Sequence, residues 1–143
     1  MKENYLINVL GTQDIGGEKD SIELTTAGDY RFSSSKTVIQ YREYDSENPK
    51  YSCLNTVEVE GDTVTVIKDF PGESRLVLQK GRRHQCHYST MFGDLMVGVY
   101  TDSFKNSLTE KGGELYVSYS LDFNGGLVSK NEIHIKVQEK EVK

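Results

Sequence analysis

The chain has 143 residues, the length of one domain, and we predict a single domain over residues 1–143. Its composition of 36% hydrophobic and 27% charged residues, with 13 Gly, 2 Pro and no Trp, excludes collagen-like, coiled-coil and helical membrane proteins. The formal net charge is −5, so we do not expect the whole chain to be drawn to nucleic acid or to a membrane surface.

The two cysteines, Cys53 and Cys86, are too few for a disulfide scaffold. Residues 1–5 contain no apolar segment of the kind that begins a signal peptide. We therefore predict a cytoplasmic protein whose thiols stay reduced, and we expect no cofactor.

Apolar and polar residues alternate along almost the whole chain, the pattern of half-buried β-strands. The alternating segments are, in chain order, 5–9, 22–26, 30–32, 38–44, 57–59, 64–66, 76–78, 84–90, 95–99, 115–123 and 133–137. Turn residues separate them, as at Gly16-Gly17, Gly61-Asp62 and Gly125-Gly126, and a loop is predicted over 46–50. One stretch, 104–111, is ambiguous and could hold a helical turn between two long strands.

Short strands that follow one another at roughly ten-residue spacing are typical of antiparallel barrels and sandwiches. Successive hairpins favour the barrel, because each strand then pairs with its neighbour in the sequence. The predicted fold class is all-β, an antiparallel up-and-down β-barrel of about 8–10 strands.

Polar residues within the apolar faces of the strands are the candidate functional groups, since those faces would point into the barrel. They are Tyr41, Glu43, His84, Tyr119 and Asn131, with Asn55 in phase with its apolar neighbours. A few polar groups among apolar walls are typical of a small-molecule pocket, so the leading prediction is a barrel that binds a small ligand or metabolite in its interior. Small barrels are also often filled by side chains, in which case the same residues would only satisfy their neighbours.

Catalysis and metal binding receive weaker support from the sequence. Glu43 and His84 would form an acid–base pair only if they faced each other across the interior, so an enzyme is the least favoured alternative. His84 and Cys86 share a strand face at i and i+2, but a metal site needs further ligands. No nucleophile, phosphate-binding or zinc-protease motif occurs, and we predict neither catalytic residues nor a metal.

A basic segment interrupts the acidic chain around the turn at residues 80–82. Between Ser74 and Gly93 there are four basic residues and no acidic one, whereas the rest of the chain carries 13 basic and 22 acidic residues. Lys80, Arg82 and Arg83 form a candidate surface patch, which we expect to be solvated, not to bind nucleic acid. The alternative to ligand binding is a structural or protein-interaction module. A second copy of the chain is one candidate partner.

The order of several short motifs resembles one bacterial family. They are Tyr41-x-Glu43, Thr56-Val57-x-Val59-x-Gly61, Phe92-Gly93-x-Leu95, Thr101, Gly113-x-Leu115, Tyr119 and Asn131-x-Ile133-x-Ile135-x-Val137. Together they are similar to the YwiB-like family, a domain of unknown function, over nearly the whole chain from Tyr5 to Val137. The resemblance implies a lipocalin/calycin-like barrel and supplies no catalytic residues. The chain lacks the Gly-x-Trp signature of secreted lipocalins, so their transport function does not transfer with the fold.

Overall fold

A computed structural model describes residues 3–44, 47–48 and 50–140 and shows ten β-strands. They are β1 (Tyr5–Ile15), β2 (Glu18–Arg31), β3 (Thr37–Tyr44), β4 (Ser52–Glu60), β5 (Thr63–Lys68), β6 (Ser74–Gln79), β7 (Arg83–Thr90), β8 (Gly93–Asn106), β9 (Gly112–Phe123) and β10 (Gly126–Glu139). Of the loop predicted over 46–50, Ser46 and Pro49 lie outside the described residues. Within the described ranges, no helix is long and apolar enough to cross a membrane.

The ten strands form one closed antiparallel barrel in which each strand pairs with its sequence neighbours and β1 pairs with β10. The predicted all-β, up-and-down barrel is confirmed. In this topology the connections alternate between the two ends. We call the end that carries the β1–β2, β3–β4, β5–β6, β7–β8 and β9–β10 connections the mouth, and the other end the base.

The segments 22–26 and 30–32, predicted as two strands, belong to the single strand β2 except for Phe32, which follows its end. Ala27-Gly28-Asp29 looks like a break in the sequence, but Gly28 is needed inside the sheet. A Cβ atom there would lie 2.8 Å from Cγ1 of Ile7 and would clash with the carbonyl oxygen of Gln40. The glycine thus allows β2 to pass close to its neighbours without ending the strand.

The stretch 104–111 holds no helical turn, because β8 continues through Asn106. The following loop turns back through two hydrogen bonds between the main chains of Thr109 and Gly112, of 2.7 and 3.0 Å. Leu108 of this loop is buried in the core, and the Tyr30 hydroxyl donates a 2.7 Å hydrogen bond to the Thr109 carbonyl. This loop therefore covers the base of the barrel.

The inward faces of the strands supply the hydrophobic core. Its fully buried apolar side chains are Ile7, Ile39, Val57, Val64, Leu78, Val99, Leu115, Val117 and Ile135. Burial of each such side chain stabilises the fold by about 1.5–3 kcal/mol. The core thus spans most of the barrel wall, and several of the polar inward positions, such as Asn55, Ser129 and Asn131, lie closer to the mouth.

Pairing between β6 and β7 is irregular. Among their described residues, Arg75 and His87 are the one pair in β-ladder register. The main-chain N–H of Val77 donates to Sγ of Cys86 at 3.3 Å, and that of Ser89 donates to Oγ of Ser74 at 2.8 Å. The alternation also shifts within β7, so Ser89 is buried. Strict alternation over the predicted segment 84–90 would place Tyr88 and Thr90 on the face of Cys86, but Tyr88 is exposed and Thr90 is only half-buried.

Candidate functional site

A cavity of about 240 Å³ occupies the mouth half of the barrel interior. It lies there because β1, β2 and β10 extend beyond the core towards the mouth. The apolar part of its wall is formed by Val9, Leu24, Val57, Val66, Ile133 and Ile135. An interior with aliphatic walls and a few polar groups has the character of a small-molecule site.

Tyr41 and Tyr119 both line this cavity, and each is more than nine-tenths buried. Within the described part of the chain, neither hydroxyl has a hydrogen-bond partner in the protein. Burial raises the pKa of Tyr119 to about 12. Burial, followed by the nearby charge of Glu43, also raises the pKa of Tyr41. Both phenols are therefore neutral hydrogen-bond donors at physiological pH.

Asn131 continues a row of polar side chains that crosses the wall beside Tyr119. In the strand register Tyr119 is the partner of Asn131, which in turn is the partner of Gln13. Nδ2 of Asn131 donates to Oγ of the buried Ser129 at 3.0 Å. This bond fixes the amide, and Gln13 and Asn131 both line the cavity. The row thus offers amide groups as well as the Tyr119 hydroxyl to a molecule in the interior.

Glu43 lines the cavity next to the fully buried Asn55. Nδ2 of Asn55 donates at 3.4 Å both to Oε1 of Glu43 and to the carbonyl oxygen of Cys53. The amide oxygen of Asn55 is buried and has no partner among the described residues. Lys68, the register partner of Asn55 on β5, also lines the cavity. Within the described ranges, neither Glu43 nor Lys68 takes part in an ion pair.

His84 does not reach this site, although the sequence placed it with the other four candidates. It is the second residue of β7, at the base, whereas Glu43 lies at the mouth end of β3. Its Nε2 lies 3.0 Å from Oε1 of Gln79, and it does not line the cavity. The structure therefore does not bring Glu43 and His84 together as an acid–base pair.

Comparisons with known proteins show the family of this chain and support its fold. Residues 7–135 match the family model described as a domain of unknown function, DUF1934. The chain belongs to this family. The ywiB protein from Bacillus subtilis, known from a crystal structure, is similar at a TM-score of 0.81 and 19% sequence identity, over 96% of this chain and 92% of that one. No curated protein matches the chain significantly.

The family model and the structural similarity confirm the resemblance to the YwiB-like proteins, and the similar crystal structure supports the barrel fold. The matched residues of the DUF1934 chain include Tyr41, Glu43, Tyr119 and Asn131, all of which line the cavity. The comparisons assign none of these residues a role.

The basic segment of the DUF1934 chain is partly neutralised. Arg83 forms two hydrogen bonds with the carboxylate of Asp122, of 3.0 and 2.7 Å, and its guanidinium packs over Gly98. Lys80 and Arg82 remain exposed at the β6–β7 turn. The predicted patch thus has two exposed cations and one that a bidentate ion pair holds in place.

Sequence reasoning missed three inward-facing polar residues of the cavity wall, Gln13, Asp20 and Lys68, besides Thr12 and Glu132, which border the cavity from positions of outward parity. Each of the three lies in phase with inward apolar residues of its strand, as Lys68 does with Val64 and Val66. That parity was a usable signal. Their positions at strand ends instead suggested solvated turns.

Metal binding has no support from the geometry around Cys86. Its thiol accepts the Val77 N–H bond within the barrel wall. Among the described residues no group of three or more His, Cys, Asp or Glu side chains could hold a metal ion.

Proposed function

We propose that this protein binds a small, mainly apolar molecule in the mouth half of its barrel. One observation carries the proposal: two buried tyrosines, Tyr41 and Tyr119, line an aliphatic cavity, and their hydroxyls have no partner in the described protein and are open to the cavity. A bound molecule would accept hydrogen bonds from them and from the amides of the neighbouring row.

The chemistry of the wall supports a site that can be occupied. The Tyr41 and Tyr119 hydroxyls make no hydrogen bond within the described protein and are open to the cavity, so a bound molecule can form hydrogen bonds with both. At about 240 Å³ the cavity lies just below the roughly 300–1,000 Å³ of pockets that hold drug-sized ligands, so a compact molecule fits best. As its compartment we propose the cytoplasm, where thiols such as Cys53 and Cys86 stay reduced.

Filling the cavity should abolish binding. Val9 lines it, whereas the next residue of β1, Leu10, points to the opposite face of the strand. We expect a neutral naphthalene fluorophore to bind the wild-type protein at one saturable site. We expect Val9→Trp to weaken that binding at least about tenfold, since the indole would occupy the ligand's space.

Leu10→Trp is the matched control, because it adds the same side chain on the outer surface of the same strand. It should bind the fluorophore as the wild type does. Equal binding by Val9→Trp and wild type would show that the fluorophore sits elsewhere and would contradict the proposed site.

A second candidate function is docking of a partner, for which the mouth connections provide an observation. Phe92 is fully exposed at the β7–β8 turn, and Met91, Ile15 and Leu127 are each more than half exposed near mouth turns. Exposed apolar groups of this kind occur at interaction surfaces. A second copy of the chain is one candidate partner, and light scattering on the purified protein would distinguish a dimer from a monomer.

A further inference from the structure

We propose that the ligand is an organic amine, whose apolar body fills the cavity and whose ammonium group binds Glu43 at the mouth. This inference rests on the proposed ligand-binding function and names the chemical class of the ligand.

The charges around the cavity favour a cation. Among the described lining residues whose side chains share the inward parity of their strands, two are carboxylates, Asp20 and Glu43, and one is a cation, Lys68. A concave site with low-dielectric walls concentrates the field of such charges. An ammonium group at the mouth is therefore attracted, and a ligand carboxylate is repelled.

Glu43 is the carboxylate best placed to hold the ammonium group. Glu43 is partly buried. The Asn55 amide donates a hydrogen bond to its carboxylate, and this bond is long, at 3.4 Å. Within the described residues no Lys, Arg or His nitrogen lies within 4.0 Å of that carboxylate. A carboxylate withdrawn from water in this way gains much from a charge-assisted hydrogen bond.

The ammonium group of Lys68 does not occupy the position proposed for the ammonium group of the ligand. In the register Glu43 on β3 faces Cys53 on β4, while Lys68 on β5 faces Asn55, so β4 separates the two charges. Lys68 is exposed, and its long side chain can carry the ammonium into water. The shorter side chain of Glu43 keeps its charge at the cavity wall.

Aromatic rings complete the surroundings of Glu43. A second, outer pocket shares Glu43 and Lys68 with the interior cavity and is lined by Tyr44, Tyr51 and Phe70. The rings of Tyr51 and Phe70 are stacked, with their centroids 5.5 Å apart. Aromatic faces beside a carboxylate bind ammonium groups through cation–π attraction. On the interior side the Tyr41 hydroxyl is a further acceptor for the ammonium N–H groups.

Three naphthalenesulfonamide fluorophores with the same apolar body test this inference. Their tails end in an ammonium, a hydroxyl or a carboxylate group. We expect the wild-type protein to bind the ammonium probe about tenfold more tightly than the hydroxyl probe, and the carboxylate probe more weakly than both. Glu43→Gln should remove the advantage of the ammonium probe and leave the hydroxyl probe unaffected.

Glu23→Gln is the matched control, because Glu23 is an exposed residue of β2 that does not line the cavity. It should keep the wild-type order of affinities. Salt provides a measurement that needs no variant: in the wild type it should weaken the ammonium probe and leave the hydroxyl probe nearly unchanged.

The outcomes separate this inference from the function on which it rests. Equal affinity of the wild type for the three probes, or a preference for the carboxylate probe, would overturn the amine and leave the cavity as a binding site. An ammonium preference that survives in Glu43→Gln would overturn the role of Glu43. Failure of all three probes to bind would overturn the proposed function itself.

Discussion

Replacing Asn55 by aspartate should lower the free energy of unfolding by about 4 kcal/mol at pH 7, since each pKa unit corresponds to about 1.4 kcal/mol and we expect a rise of about 3. Asn55 is fully buried, and its amide nitrogen donates to the carboxylate of Glu43 and to the carbonyl of Cys53. An ionised carboxylate of the same shape would face two acceptors and a neighbouring negative charge. Burial and the charge of Glu43 would therefore both raise the folded-state pKa of the introduced carboxyl group.

The pH dependence of this loss has a definite sign. Because the folded-state pKa of the introduced carboxyl group lies above its unfolded value of about 3.9, the folded state retains its proton over a range in which the unfolded state has released it. The variant should therefore be least destabilised below about pH 4. It should lose about 1.4 kcal/mol of stability per pH unit relative to wild type as the pH rises towards the folded-state pKa.

Urea unfolding from pH 3.5 to 7.5 measures this effect, with Asn55→Leu as the control. Leu removes the two long hydrogen bonds of the amide nitrogen and adds no ionisable group, so its cost, about 1–3 kcal/mol, should be nearly independent of pH. A pH-independent loss in Asn55→Asp would show that the position is open to water, contrary to the structure.

Replacing Gly113 by alanine should cost about 3 kcal/mol or more, because backbone strain of about 1–3 kcal/mol adds to a steric displacement. Gly113 has a φ of 138°, and a Cβ atom there would lie 3.0 Å from Cα of Leu108 and clash with the carbonyl oxygen of Ser107. Both atoms belong to the backbone of the loop that covers the base, so the loop itself must move.

Gly93→Ala separates the two contributions, since Gly93 has a similar φ of 129° but open space around its missing Cβ atom. Thermal or urea unfolding of both variants should show a clearly larger loss for Gly113→Ala. Equal losses would mean that the backbone conformation alone accounts for the effect, and that the loop does not press against Gly113.

The barrel could be predicted because its information is local. Leu115, Val117 and Tyr119 share one parity, and this alone places the Tyr119 side chain on the inward face. In the same way, the alternation along β10 and β3 places the side chains of Asn131 and Glu43 on the inward face. Glycine turns between the strands indicate which strands are neighbours, and in an up-and-down barrel this specifies the topology.

The alternation pattern predicts the wrong inward residues where the pairing between strands is irregular. The weak β6–β7 ladder shifts the alternation within β7, so Ser89 is buried instead of Tyr88 or Thr90. His84 has the expected parity but lies at the base. Because β7 runs from the base to the mouth, its second residue is far from the mouth half of the interior. The Glu43–Asn55–Lys68 arrangement also needs the register of three strands, which the sequence of any one strand does not contain.

Native mass spectrometry of the protein, purified from the organism that encodes it, tests the central claim most directly. We expect the wild type and Leu10→Trp to carry one small molecule per chain, released on collisional activation. Val9→Trp should carry none, because its indole fills the cavity. Spectra that show only the polypeptide for the wild type, or the same bound molecule in Val9→Trp, would contradict a ligand in the mouth half of the barrel.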